Sequence, residues 1–186
     1  MKGAKAVFLD RDGTLNEERQ YLCDPDKLVL IAGVETGLRK LTLAGFQLFV
    51  VTNQSGIGRG YYAETDMHRV NERLAEFLAK SGVRFRRIYF APEAPEAPSR
   101  GRKPSPAFLW DARDEFGLDL QSSYMIGDKW IDLECGWNAG VRRSILVRSG
   151  YGREVELQSN PGLERAWICD GLEQAADRIC ADDPGL

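Results

Sequence analysis

Residues 8–14 read Phe8-Leu9-Asp10-Arg11-Asp12-Gly13-Thr14, and their reading orients the rest of the chain. An apolar run from Ala6 to Leu9 stops at two carboxylates spaced two residues apart, followed by Gly-Thr. A short apolar run closed by a turn reads as a buried strand. Asp10 then falls at the carboxyl end of that strand, on the edge where open α/β sheets bind ligands. Two acids this close disfavour each other's ionisation unless a cation or a proton intervenes. The pair therefore calls for a divalent metal and leaves one carboxylate available as a nucleophile. Taken alone, the same residues also fit a plain Asp-rich turn.

Outward from this segment, strands and helices alternate. Apolar patterning predicts strands at 4–9, 46–51, 87–90, 124–126, 144–147 and 167–169, with helices at 34–44, 64–81, 106–116, 131–139 and 171–180. Between them, residues 91–102 read Ala-Pro-Glu-Ala-Pro-Glu-Ala-Pro-Ser-Arg-Gly-Arg, a proline-rich loop. The alternation predicts an α/β fold, a Rossmann-like doubly wound parallel sheet covered on both faces. A length of 186 residues and the lack of a linker or repeat predict a single domain over 1–186.

Composition removes several classes of function. A net charge of −3 does not favour non-specific nucleic-acid binding. No apolar run reaches the ~20 residues needed to cross a membrane. Met1-Lys2-Gly3-Ala4-Lys5 leads straight into a strand without a secretory apolar region, so a cytoplasmic protein is expected. The four cysteines, Cys23, Cys135, Cys169 and Cys180, are scattered and read as reduced thiols. The single histidine, His68, excludes zinc sites built on several histidines. It lies on a helix whose core stripe is Met67, Val70, Leu74, Phe77 and Leu78, and reads as a polar-face residue. The basic residues Arg84, Arg86 and Arg87 read as a solvated face.

In an open sheet, the loops after the strands share one edge. After the second strand comes Thr52-Asn53-Gln54-Ser55-Gly56-Ile57-Gly58-Arg59-Gly60, whose hydroxyl, amides and glycines suit an anion. Its glycine spacing matches neither a dinucleotide fingerprint nor a P-loop. The proline-rich loop delivers Arg102-Lys103-Pro104 to the start of a helix, where an anion is welcome. After residues 124–126 comes Gly127-Asp128-Lys129-Trp130-Ile131-Asp132. Asp128 falls at the strand tip and Asp132 four residues later at the start of a helix, so that one acid can ligate a metal and the other orient a neighbouring lysine; Asp132 also fits a plain first-turn helix acid.

Acid pair, threonine, lysine and acid, each following a strand of one sheet, resemble the four motifs of the haloacid dehalogenase (HAD) superfamily of phosphatases. Within it, residues 8–16, 51–60 and 102–104 resemble the D-glycero-D-manno-heptose 1,7-bisphosphate phosphatases. The resemblance implies that Asp10 is the nucleophile and becomes an aspartyl phosphate. It implies that Asp12 is the general acid and then base, and that Thr52 and Lys103 hold the phosphoryl oxygens. Mg²⁺ would take Asp10, the Asp12 carbonyl and Asp128, with Lys129 and Asp132 supporting them. Tyr21, Asn53, Gln54, Ser55, Arg59 and Arg102 would meet the sugar and the phosphate that stays. The expected partner is a small phosphorylated sugar, with no nucleic acid and no membrane, and the expected state is a monomer. The implied setting is heptose metabolism feeding lipopolysaccharide or nucleotide-heptose synthesis.

Neither the interval from Asp10 to Thr52 nor that from Thr52 to Lys103 leaves room for a cap domain, so an open site is expected. Members of the heptose group commonly hold a structural zinc on a Cys-x-His and a Cys-x-Cys before Arg-Lys-Pro. The aligned positions here are Ala91, Glu93, Ser99 and Gly101, so no zinc is expected. Histidinol-phosphate phosphatases and DNA 3′-phosphatases share parts of these motifs and are the alternative activities. A non-catalytic protein on this fold is disfavoured because Asp10, Asp12, Thr52, Lys103 and Asp128 are all present.

Overall fold

The computed structural model describes residues 3–182. Six parallel strands form one sheet: β1 (Ala6–Leu9), β2 (Gln47–Asn53), β3 (Phe85–Ala91), β4 (Tyr124–Gly127), β5 (Arg143–Val147) and β6 (Trp167–Cys169). Their order across the sheet is β3-β2-β1-β4-β5-β6. Seven α-helices accompany them: α1 (Val34–Leu43), α2 (Ser55–Gly58), α3 (Glu64–Ala79), α4 (Ala107–Phe116), α5 (Trp130–Ala139), α6 (Gly152–Leu157) and α7 (Leu172–Asp182).

The pleat of β1 divides the core. Val7 and Leu9 join Leu38 and Leu41 of α1, Val70 and Leu74 of α3, and Ala175 and Ile179 of α7. Ala6 and Phe8 point the other way, to Leu109 and Ala112 of α4 and Cys135 and Ala139 of α5. Successive strand residues face opposite sides, so a strand buried on both sides is apolar throughout. All four residues of β1 are fully buried. The chain winds outward from β1 to β2 and β3, then returns to the other flank of β1 with β4. That reversal opens a crevice at the carboxyl ends of β1 and β4. Asp10 follows the first strand directly and Asp128 the second.

The predicted sheet and its alternation of elements are present, with ends shifted by at most two residues. The predicted first strand starts at Ala6 rather than 4, because Ala4 makes an isolated bridge to Leu118 instead. Two helices escaped the reading. α2 has four residues, two of them glycine, and α6 has six, too short for either to show a helical period. Exposed Arg86 and Arg87 lie on the edge strand β3 and stack on Phe116, which blunts that edge as charged residues do. His68 lies on the outer face of α3, against Glu64. No helix among the described residues is long and apolar enough to cross a membrane.

Candidate active site

The crevice holds a cavity of about 550 Å³, within the usual size for a small-molecule site. Asp10, Asp12, Thr52, Asn53, Gln54, Ser55, Tyr21, Arg102, Lys103, Lys129 and Asp132 all line it. Asp128 is fully buried just behind, with a carboxylate oxygen within 4.8 Å of those of Asp10 and Asp132. Residues far apart in sequence therefore meet because each follows a strand of one sheet.

Lys103 organises the acids. Its Nζ lies 2.7 Å from Asp10 Oδ1 and 2.7 Å from Asp132 Oδ1, and all three side chains are almost wholly buried. Burial works against the lysine's charge, but the carboxylates of Asp10 and Asp132 outweigh it and raise its proton affinity. Asp132 also accepts the Lys129 amide at 2.9 Å. Burial pushes its carboxyl up to about 6, with Lys103 pulling the other way.

Asp12 is held apart from this cluster. Its Oδ2 accepts Arg11 Nε (3.1 Å), Arg11 Nη2 (2.8 Å) and Gln54 Nε2 (2.9 Å), and its Oδ1 accepts Asn16 Nδ2 (3.0 Å). Burial alone would raise its carboxyl, but the Arg11 guanidinium and the bonds from Asn16, Arg11 and Gln54 win and lower it. Arg11 is itself fully buried and donates Nη1 to Asn71 Oδ1 on α3 at 2.8 Å.

Several predicted substrate contacts are engaged within the protein. Asn53 accepts the Lys103 amide (3.0 Å) and donates to the Lys103 carbonyl (3.2 Å), a two-way grip on the Lys103 backbone. Gln54 donates Nε2 to Thr52 Oγ1 (2.8 Å) as well as to Asp12, and accepts the Tyr62 hydroxyl at 2.6 Å. Because Gln54 donates to Thr52, the threonine hydroxyl keeps its own proton to give elsewhere. Arg59 does not line the cavity and turns to Glu96 at 3.4 Å, since α2 directs it outward. Gly56 and Gly58 have a packing reason to be small. A Cβ on Gly56 would strike Tyr62 and Tyr21, and one on Gly58 would strike the backbone of residues 92–94. They are small so that these neighbours can approach.

Other residues of the site carried no signal in the sequence. Glu18 reaches Lys129 Nζ across the cavity mouth at 2.9 Å. Tyr151 gives its amide to Asp128 Oδ2 at 2.9 Å. Tyr62, Asn71 and Tyr151 reach the site through tertiary contacts, whereas Arg11 and Asn16 bond to Asp12 from one and four positions away. Only Arg11, a cation between two acids, offered a local hint.

Comparison with known proteins gives the same direction. A family model described as HAD-hyrolase-like matches residues 101–175. The D-glycero-D-manno-heptose-1,7-bisphosphate 7-phosphatase of Chlorobaculum tepidum is 39% identical, covering 99% of this chain and 98% of its own length. The D-glycero-beta-D-manno-heptose-1,7-bisphosphate 7-phosphatase of Escherichia coli K12 is also 39% identical, covering 96% and 95%. The chain belongs to the heptose-1,7-bisphosphate 7-phosphatase family. Within it, the solved D,D-heptose 1.7-bisphosphate phosphatase from B. bronchiseptica, complexed with magnesium and phosphate, superposes with a TM-score of 0.88. That structure is 28% identical and covers 96% of this chain and 99% of its own. The family fold, without a separate cap domain, is the fold seen here.

The acid cluster fits the magnesium of that relative. Asp128 Oδ1 is buried and has no hydrogen-bond partner, an orphan that a cation would satisfy. Gly13 and Gly150 leave room for the carboxylate between them, for a Cβ on either would lie 2.2 Å from Asp128 Oδ2. Hard carboxylate oxygens are the donors Mg²⁺ prefers. Burial, then the charges of Asp10 and Asp132, push the Asp128 carboxyl up to about 8 from an ordinary 3.8. In metal-free protein the folded state thus keeps a proton that the unfolded chain has lost. Its stabilising effect is complete below pH 3.8 and is lost as pH rises towards 8. Chelated protein should show a melting temperature that falls over this window, and Mg²⁺ or Asp128→Asn should flatten the slope. A metal-free melting temperature insensitive to Asp128→Asn at every pH would contradict this reading of the cluster.

Proposed function

We propose that this protein is a Mg²⁺-dependent phosphatase that removes the 7-phosphate of D-glycero-D-manno-heptose 1,7-bisphosphate through an aspartyl-phosphate intermediate. The observation that carries the reading is the convergence of Asp10, Lys103, Asp132 and Asp128 at the sheet's reversal point in a member of this family.

Asp10 attacks phosphorus, forming the O–P bond as the bond to the sugar oxygen breaks. Lys103 steadies the Asp10 carboxylate and meets the phosphoryl charge beside it, and Thr52 donates a hydrogen bond from its hydroxyl to a phosphoryl oxygen. Mg²⁺, held by Asp10, Asp128 and the Asp12 carbonyl, would supply charge neutralisation between carboxylate and phosphate. Asp12 gives a proton to the departing alkoxide, then takes one from the water that hydrolyses the aspartyl phosphate. Proton transfer of this kind contributes about 10²–10⁴-fold. The Arg11 guanidinium and the donors from Asn16 and Gln54 favour ionised Asp12, the form needed for the second half-reaction. An incoming anionic phosphoryl group opposes that charge and favours the protonated form needed for the first.

Asp132 and Asn53 position Lys103, and Gln54 positions Asp12 and Thr52. Tyr21, Ser55, Arg102 and Lys129 are left to face the sugar and the phosphate that is not cleaved. The protein is proposed to act as a cytoplasmic, single-domain monomer. Phosphate release from heptose 1,7-bisphosphate, histidinol phosphate and a 3′-phosphorylated oligonucleotide, measured side by side, tests the substrate. The heptose is expected to give the highest kcat/KM by at least about tenfold, the size of one well-placed ionic contact. A preference for either of the others would reassign the activity.

A further inference from the structure

Residues 91–102 carry the chain from β3 to Lys103, and the four positions that hold zinc in relatives of the resembling group are here Ala91, Glu93, Ser99 and Gly101. They do not fit zinc. There is no thiol or imidazole among them, the single carboxylate is bonded to the single hydroxyl, and the ring of Phe108 stands 2.1 Å from where a Cβ of residue 101 would be. We infer that Glu93 and Ser99 form a metal-free clasp whose task is to position Arg102 for the phosphate that is not cleaved. This rests on the proposed function for its substrate but not for its geometry.

Ser99 donates its hydroxyl to Glu93 Oε2 at 2.7 Å, tying the two ends of the loop together. The same Ser99 oxygen accepts the Arg102 amide at 3.2 Å. The Glu93 carbonyl accepts Arg102 Nη1 at 3.4 Å. Both ends of Arg102, amide and guanidinium, are therefore held by the two residues that close the loop. The loop is fixed at its base as well, where Gln54 and Gly58 donate their amides to the carbonyls of Ala91 and Pro92, each at 2.8 Å. Phe108 covers Gly101 and stacks on Tyr89 with ring centroids 5.2 Å apart. Pro92, Pro95 and Pro98 reduce the freedom that the unfolded loop would otherwise regain. Arg102 emerges into the cavity beside Lys103. Its planar fork suits a phosphate only if its direction is fixed.

Glu93 and Ser99 do not touch the reacting atoms, so they are positioning residues with a separable signature. In Ser99→Ala and Glu93→Ala, the KM for heptose 1,7-bisphosphate should rise about tenfold, as for loss of one charge-assisted contact. Its kcat should stay within about twofold. For p-nitrophenyl phosphate, which has no second phosphate, neither constant should move. Ser99→Thr, which keeps the hydroxyl, should restore wild-type values. Independently of turnover, the Arg102 amide should exchange with solvent deuterium faster in Ser99→Ala than in wild type, and Ser99→Thr should reverse this. Wild-type KM in both variants, an equal KM rise for both substrates, or unchanged Arg102 exchange would overturn the clasp. So would stoichiometric zinc in the purified protein whose removal raises KM. A wild-type protein inactive on the bisphosphate would refute the substrate reading instead, and the exchange measurement would still decide the clasp.

Discussion

Asp10→Asn is expected to lower Mg²⁺-dependent phosphate release by about 10⁴–10⁶-fold, the range seen when a covalent nucleophile is lost. The fold should survive it. The amide is isosteric, and Lys103 keeps its second partner, Asp132, at 2.7 Å. Removing one of three mutually repelling buried acids should leave the metal-free melting temperature equal to or above wild type. Activity and stability would then move in opposite directions, which separates a chemical role from a structural one. Phosphate release within tenfold of wild type, or a variant that fails to fold, would each count against the assignment.

Lys103→Met is expected to damage both activity and stability. Its ammonium lies between Asp10 and Asp132, and all three side chains are almost wholly buried. Removing one partner of a buried ion pair leaves uncompensated charge and typically costs about 3–5 kcal/mol. For a chain of this length that corresponds to a fall in melting temperature of roughly 10 °C. The orphaned acids can escape part of the cost by taking up protons, so the loss should shrink as pH is lowered. It should shrink also with Mg²⁺, which supplies the missing positive charge. Turnover should fall by about 10²–10³-fold, as when a preorganised donor to the transition state is removed. Equal melting temperatures for Lys103→Met and wild type at neutral pH without metal would show that the lysine does not balance the acids.

What the sequence made legible was local. The apolar run into Asp10, the strand before Thr52 and the strand before Asp128 each carry their signal within about ten residues, and the parallel sheet follows from their alternation. What it concealed was the use made of polar side chains. Asn53 and Gln54 read as ligands for a sugar, yet each is engaged with another residue of the site, because a buried amide must find partners wherever the fold supplies them. Arg11 lay in plain view between two acids, but its partner Asn71 comes from a helix sixty positions away. The glycines of 56–60 suggested room for an anion, and the packing that Gly56 and Gly58 allow, against tyrosines and the proline-rich loop, was not visible locally. The contact between Gly150, Tyr151 and Asp128 joins the segment after β5 to the end of β4, a pairing no local pattern could announce.

The central claim is a covalent one: a phosphoryl group rests on a particular carboxylate during turnover. Quenching the enzyme during turnover of heptose 1,7-bisphosphate, reducing with borohydride and sequencing peptides by mass spectrometry reads this directly. An acyl phosphate is reduced where a free carboxylate is not, so position 10 should be recovered as homoserine in samples quenched with substrate and Mg²⁺, and as aspartate without them. Reduction at a different carboxylate, or at none while phosphate release proceeds, would contradict the account.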